Sequence, residues 1–197
     1  MNWINILQTF ALVTFLGFLI LQIFQSKYMW YLYIPSCIVQ AYLFFTQHTW
    51  AFAVLNLYYV IMGFQGIRNY RKDRAKLSED GEKTSGIHLH HISKQNALIS
   101  LAITVVGIPA LYFTLSALND AHPLLDAITT TLSVIGTWWL TKSYLYQWIM
   151  WIIADVFAVT LNLHLGLKLI ALQFLFCIIS SFFGLWNWHK NGVYVDD

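Results

Sequence analysis

The stretch that decides the fold is Tyr28–Ile67, YMWYLYIPSCIVQAYLFFTQHTWAFAVLNLYYVIMGFQGI, which runs for forty residues without an Asp, Glu, Lys or Arg. A helix needs about 20 apolar residues to cross a bilayer core, so this stretch is long enough for two spans. The polar group at residues 46–49, Thr-Gln-His-Thr, marks the turn between them. We therefore predict a pair of membrane helices here.

The composition of the whole chain points the same way. Of its 197 residues, 58% are hydrophobic and only 10% are charged. A soluble domain draws about a quarter of its residues from Asp, Glu, Lys and Arg, so a soluble globule is excluded. Cys37 and Cys177 both lie in apolar stretches, where we expect small buried side chains rather than a disulfide or a metal site.

Five further apolar stretches bring the number of predicted membrane helices to seven, and a hydrophilic loop at 68–94 separates the third from the fourth. This loop holds seven of the eleven Lys and Arg residues. Basic residues stay on the cytoplasmic side, and an outside N-terminus leaves only Lys168 on the outer side. We predict a multi-pass protein of the cytoplasmic (inner) membrane, in contact with lipid, oriented N-out and C-in. The five further spans are 3–26, 95–119, 122–140, 143–163 and 169–188.

An internal repeat organises the helices. An offset of 118 residues aligns Trp30 with Trp148 and Gly66 with Gly184, and matches helices two and three with helices six and seven. A displacement of four spans keeps the same membrane orientation, so we predict an all-α protein with parallel three-helix repeats in a 3+1+3 plan. Its parts are a first repeat (1–67), a cytoplasmic loop (68–94), a linking helix (95–119), a second repeat (120–190) and a cytoplasmic tail (191–197).

The sixth helix carries the strongest candidate site. Parallel repeats occur in a class of transporters with a substrate site near the membrane midplane, and Trp148, Trp151 and Asp155 fall within about 60° on one helix face. A carboxylate at this depth costs about 2.5 to 3.5 kcal/mol on insertion scales and usually faces a cavity. Two rings and an anion suit a flat cationic ligand. The alternatives to ligand binding are that the two rings only pack between helices and that Asp155 is a structural hydrogen-bond acceptor.

Polar side chains on helices three and seven extend this candidate site. Asn56 and Gln173 carry amides that could orient a ligand, or that could bond across helices instead. Tyr59 lies one turn beyond Asn56 on the same helix face. We therefore include Asn56, Tyr59 and Gln173 among the expected substrate contacts.

The sequence gives no motif for several other classes of protein. It has no Walker A phosphate loop, no His-Glu-x-x-His zinc motif and no Gly-x-Ser-x-Gly elbow. The histidines of the loop, His88, His90 and His91, have no acidic or cysteine partner at metal-ligand spacing, and we expect them to be solvated. We expect no enzyme activity, no metal, no cofactor and no nucleic-acid partner.

The segment Gln147–Asp155 resembles the Trp-x-x-Trp-x-x-x-Asn/Asp signature of the PnuC-type vitamin transporters. The last helix, with Gly184 and Trp186, is similar to theirs, and the resemblance covers nearly the whole chain. It implies a fold like that of a full-length SWEET sugar transporter and facilitated diffusion of an unphosphorylated vitamin that a cytoplasmic kinase then traps. It also implies a homotrimer.

The residues at the candidate site also bear on which vitamin is transported. Nicotinamide riboside members of that family carry Asn where this chain has Asp155, Gln where it has Asn56, and often Asn where it has Phe183. Thiamine has a thiazolium charge and an aminopyrimidine that could meet a carboxylate, whereas riboflavin is neutral and bulkier. We therefore expect a thiamine uniporter in which Trp148 and Trp151 stack on the ligand. Within the family, the alternative substrates are nicotinamide riboside and then riboflavin. Outside it, the alternatives are a membrane receptor or scaffold, or a membrane enzyme that uses Asp155.

Overall fold

A computed structural model describes residues 3–46, 50–79 and 86–195 of the chain. Seven α-helices lie in these ranges, as the sequence predicts, together with two three-residue strands that it does not predict. The turn expected at 46–49 lies outside the described residues except for Thr46. The elements are α1 (Trp3–Ile23), α2 (Met29–Thr46), α3 (Trp50–Glu79), β1 (Ile87–Leu89), α4 (Lys94–Ala117), α5 (Pro123–Thr141), α6 (Gln147–His164), α7 (Lys168–Asn191) and β2 (Gly192–Tyr194).

Four of the described helices are long and apolar enough to cross a membrane: α1, α4, α6 and the Ile170–Asn191 part of α7. Helices α2 and α5 are also free of Lys and Arg, but their Tyr, Trp, Ser and Thr side chains lower the mean hydropathy. Outward apolar side chains such as Leu98, Val105 and Val106 on α4 are more than 60% exposed. Such a surface fits a protein whose solvent is lipid.

Helix α3 continues beyond the predicted span. It ends at Glu79, so residues 68–79 are helical and do not belong to the loop that we predicted to begin at 68. This segment is rich in Arg, Lys, Ala and Leu, which all favour helix. Asp73 and Leu77 in it are buried, so the extension packs against the protein.

His88 is the exception to the expectation of solvated loop histidines, because it is only 2% exposed. The Gln25 side chain donates from Nε2 to the His88 carbonyl oxygen at 2.8 Å and accepts from the His88 backbone N–H at 2.8 Å. The His88 Nε2 lies 3.2 Å from an Asp73 carboxylate oxygen, although the geometry is not that of a hydrogen bond. Sequence spacing missed these contacts because Gln25 is distant along the chain.

The described residues form two compact units, and each is considered by itself. The first contains the described parts of Met1–His88 and Asn191–Val195, and the second contains Leu89–Lys190. In the second unit the Trp139 indole N–H donates to Ser100 on α4 at 2.9 Å. Helix α4, the predicted linking helix, is therefore joined to α5 within this unit. In the first unit the tail forms β2, which pairs with β1.

The same contact recurs at the positions that the 118-residue offset aligns. In the first unit the Trp30 ring lies on Gly66, and in the second the Trp148 ring lies on Gly184. Each tryptophan is almost completely buried, and a β-carbon on either glycine would clash with the ring. Glycine is required at both places because the indole approaches the backbone of the neighbouring helix.

The offset also holds in the turns before these tryptophans. Gln25 and Ser143 are equivalent, and both have a left-handed backbone, with φ of 46° and 52°. Each turn closes with the same backbone bond, Ser26 N to Leu21 O at 2.9 Å and Tyr144 N to Trp139 O at 3.1 Å. The repeat thus extends further than helices two and three. The full 3+1+3 plan and the N-out orientation stay predictions.

Candidate functional site

Trp148 is held at the start of α6 by α7. Its side chain is 1% exposed, with the ring against Gly184 and its edge toward Trp188 at a centroid distance of 5.4 Å. The indole N–H has no hydrogen-bond partner within the described residues. The structure therefore gives Trp148 a packing role, and the stacking on a ligand that we expected for it stays a prediction.

Trp151 points toward a different helix. It is half-buried, and a β-carbon built on Gly136 of α5 would lie 3.2 Å from its ring. Its buried indole N–H also lacks a hydrogen-bond partner in the described chain. The two rings share the buried side of α6, as its periodicity predicts, but they pack against α7 and α5 respectively.

Asp155 lies two helical turns beyond Trp148 and on nearly the same face of α6. It is 6% exposed. Its carboxylate takes part in none of the hydrogen bonds that the described residues make. A buried carboxylate normally has a hydrogen-bond donor or a cation as partner, so this group is available to a ligand.

Cys177 on α7 lies near Asp155, which sequence reasoning did not predict. Its side chain is 6% exposed, and it lies within electrostatic reach of the Asp155 carboxylate. A signal was present in the sequence, because the 118-residue offset pairs Cys177 with Tyr59, a residue that we had included in the site. The sequence analysis instead interpreted Cys177 as a small buried hydrophobic side chain.

The remaining predicted residues divide between the units. In the first, Asn56 is buried and its amide donates to the Phe52 carbonyl of its own helix at 2.9 Å, and the Tyr59 ring lies beside Tyr33 at 6.3 Å. In the second, Gln173 is half-exposed on α7, one turn before Cys177. The second unit thus holds Trp148, Trp151, Asp155 and Gln173. Among the described residues there is no cluster of three or more side chains suited to a metal ion.

The helices expose apolar side chains on their outer faces, and a carboxylate is buried among them. These features are those of a multi-pass membrane protein. The chain belongs to the nicotinamide mononucleotide transporter family, whose model matches residues 5–190. This confirms the PnuC-type resemblance of the sequence. The seven-helix fold is similar to that in the crystal structure of the vitamin B3 transporter PnuC, with a TM-score of 0.71 and 23% identity over 96% of this chain and 83% of that one.

A curated relative carries a more specific name. The chain is 28% identical over 163 residues to the nicotinamide riboside transporter PnuC of Neisseria mucosa. The match covers 79% of this chain and 61% of the relative, so the chain spans less than two thirds of that protein's length. This name refers to nicotinamide riboside.

Proposed function

We propose that this protein transports nicotinamide riboside by facilitated diffusion. Support comes from its membership of the family and from the name of the relative in Neisseria mucosa. These comparisons favour nicotinamide riboside over thiamine, which the sequence had suggested. The observation in this chain that carries the proposal is the buried carboxylate of Asp155, which has no hydrogen-bond partner among the described residues.

Asp155 gives a physical reason for a cationic substrate. Burying a carboxylate inside a membrane protein is unfavourable, and a bound cation offsets part of that cost. The pyridinium ring of nicotinamide riboside carries a positive charge and is flat, so it can pair with Asp155 while the half-buried Trp151 lies beside it. Asn56, Tyr59 and Gln173 are further proposed contacts, which offer an amide or a hydroxyl to the ribose and carboxamide groups.

The same carboxylate argues against the phosphorylated form, nicotinamide mononucleotide, as the substrate. In the described second unit, the lysines of the α5–α7 region stand at helix ends, at Lys142, Lys168 and Lys190. A phosphate bound at the level of Asp155 would meet a like charge with no basic side chain beside it. We therefore propose that the substrate is unphosphorylated and that phosphorylation by a cytoplasmic kinase retains it inside the cell.

Thiamine is the second candidate. Its aminopyrimidine offers a ring nitrogen and an amino group that suit a carboxylate, and its thiazolium is a cation, so Asp155 accommodates it on chemical grounds. Riboflavin is neutral and gains least from that charge. The transporter is proposed to act as a uniporter in the cytoplasmic membrane, with rocking of the two three-helix repeats, and to assemble as a homotrimer.

A side-by-side titration tests the proposal. Purified protein is titrated with nicotinamide riboside, nicotinamide mononucleotide, thiamine and riboflavin, and uptake of each labelled compound is measured in proteoliposomes. We expect nicotinamide riboside to bind and to be taken up, and nicotinamide mononucleotide to do neither. If only thiamine is taken up, thiamine is the substrate and nicotinamide riboside is not. If none of the four compounds binds, the proposal is wrong.

The role of the carboxylate is tested with a matched pair of variants. We expect Asp155→Asn to weaken nicotinamide riboside binding about tenfold to a hundredfold, because a hydrogen bond to a charged group contributes about 1.5 to 3 kcal/mol. Asp126→Asn makes the same chemical change in the first turn of α5 and is expected to leave the affinity within about twofold. Equal affinities of Asp155→Asn and the unmodified protein would show that Asp155 does not pair with the substrate.

A further inference from the structure

The contact between Trp148 and Gly184 fixes which residues of α6 and α7 face each other further along. Three residues, Leu165 to Leu167, connect the two helices, so they run in opposite directions. Seven residues make two turns, which advance a helix by about 10 Å and return a side chain to nearly the same face. Seven residues forward from Trp148 is Asp155, and seven residues back from Gly184 is Cys177. The two side chains therefore lie at one level on facing sides.

The environment of Cys177 agrees with this placement. The Cys177 side chain lies within electrostatic reach of the Asp155 carboxylate. Both residues are more than nine-tenths buried. The Asp155 carboxylate takes no part in the hydrogen bonds of the described residues, so the thiol lies near a polar group that has no hydrogen-bond partner among them.

In the first unit, aromatic side chains surround the positions equivalent to Asp155 and Cys177. The equivalent residues are Cys37 on α2 and Tyr59 on α3, and Cys37 has the Tyr33 side chain as a hydrogen-bond partner. The Tyr33 ring lies 6.3 Å from that of Tyr59 and 4.5 Å from that of Phe18. Here an aromatic cluster occupies the level, whereas in the second unit a small thiol faces a free carboxylate.

We propose that Cys177 is a specificity-determining residue of the vitamin site, which keeps Asp155 available for a cationic ligand. This inference rests on the proposed function. A thiol is a weak hydrogen-bond donor, so it fills the space opposite the carboxylate without satisfying it. A hydroxyl at this position would donate a strong hydrogen bond to Asp155 and compete with the cation of the ligand.

A double-mutant cycle tests whether Cys177 acts through the carboxylate. Nicotinamide riboside affinity is measured by titration calorimetry for Cys177→Ser and Cys177→Ala in the unmodified protein and in Asp155→Asn. We expect Cys177→Ser to weaken binding about fivefold in the unmodified protein and by less than twofold in Asp155→Asn, because the competing hydrogen bond needs the charge. Cys177→Ala removes the thiol without adding a donor, so any change in affinity that it causes is expected to be the same factor in both backgrounds.

The outcomes separate this inference from the proposed function. If the unmodified protein binds nicotinamide riboside and Cys177→Ser binds it equally well, or loses the same factor in both backgrounds, the inference is wrong while the function stands. If the unmodified protein binds neither nicotinamide riboside nor thiamine, both fall. Cys37→Ser in the first unit is the matched control, expected within about twofold. Cys177→Thr and Cys177→Val differ by the same hydroxyl and replace the first pair if the serine variant does not fold.

Discussion

The two units of this protein share a backbone pattern and differ in what occupies it. Both pack a buried tryptophan on a glycine, Trp30 on Gly66 and Trp148 on Gly184, and both have a left-handed residue in the preceding turn. Two turns beyond that tryptophan, the first unit has Cys37 within an aromatic cluster, and the second unit has Asp155. The contact that holds the helices together is repeated, and the charged group is not.

This difference separates residues that keep the fold from residues that are free to take on a function. An aromatic cluster adds packing, since ring pairs contribute about 0.5 to 1.5 kcal/mol beyond the area they bury. A buried carboxylate without a partner in the protein lowers stability instead. Proteins tolerate such unfavourable groups mainly where function requires them. From this asymmetry we infer that the second unit supplies the charged group of the proposed site.

The largest expected effect comes from moving the carboxylate into the first unit. Cys37→Asp places a charge among Tyr33, Phe18 and Tyr59, and we expect it to destabilise the protein by about 2.5 to 3.5 kcal/mol. The reverse exchange, Asp155→Cys, is expected to unfold at a higher temperature than the unmodified protein and to lose nicotinamide riboside binding. Thermal unfolding in detergent, with titration calorimetry, measures both.

Cys37→Ser is the control for this exchange, because it adds a polar atom without a charge. If Cys37→Asp unfolds at the same temperature as Cys37→Ser, the first unit tolerates a carboxylate as well as the second does. The contrast between the units would then reflect chance substitution and not a functional site.

The next prediction concerns the tryptophan–glycine contact, which both units share. Gly184→Ala and Gly66→Ala each add a methyl group that meets a fully buried indole ring, and each is expected to destabilise the protein by about 1 to 3 kcal/mol. Gly107→Ala on α4 is the matched control: its β-carbon would lie 3.4 Å from a Thr131 carbon, an ordinary contact. If only one of Gly184→Ala and Gly66→Ala lowers the melting temperature, the tryptophan–glycine contact is not equivalent in the two units.

The sequence predicted the seven helices because long apolar stretches with at most one charged residue have few alternatives to burial in lipid. It placed the end of α3 too early because Arg71, Lys72 and Asp73 look like a solvated loop when charge is the only criterion. Their helical propensity and the burial of Asp73 oppose that interpretation, and the burial depends on tertiary contacts. The prediction for His88 was wrong for the same reason, since its partner Gln25 lies in the turn after α1.

For the candidate site, helical periodicity was sufficient to group Trp151 and Asp155 on one side of α6. It did not distinguish Trp148, whose environment is set by Gly184 on another helix. Cys177 was missed for a related reason, since pairing across two helices depends on where the turn between them lies. Counting outward from the turn at Gly166 places Asp155 opposite Cys177, and this count becomes reliable once the ends of both helices are known.

The smallest expected effect concerns the ring beside the site. At equivalent positions the first unit has Phe18 against Tyr33, and the second has Gly136 against Trp151, so the larger ring is matched by the smaller neighbour. Gly136→Ala brings a methyl group to 3.2 Å from the Trp151 ring, and the ring must shift by a few tenths of an ångström to accept it. We expect nicotinamide riboside affinity to fall about threefold with little change in melting temperature, because alanine also favours the helix. Gly107→Ala serves as the control and should leave the affinity unchanged; an equal affinity for Gly136→Ala would mean that the ligand does not rest against Trp151.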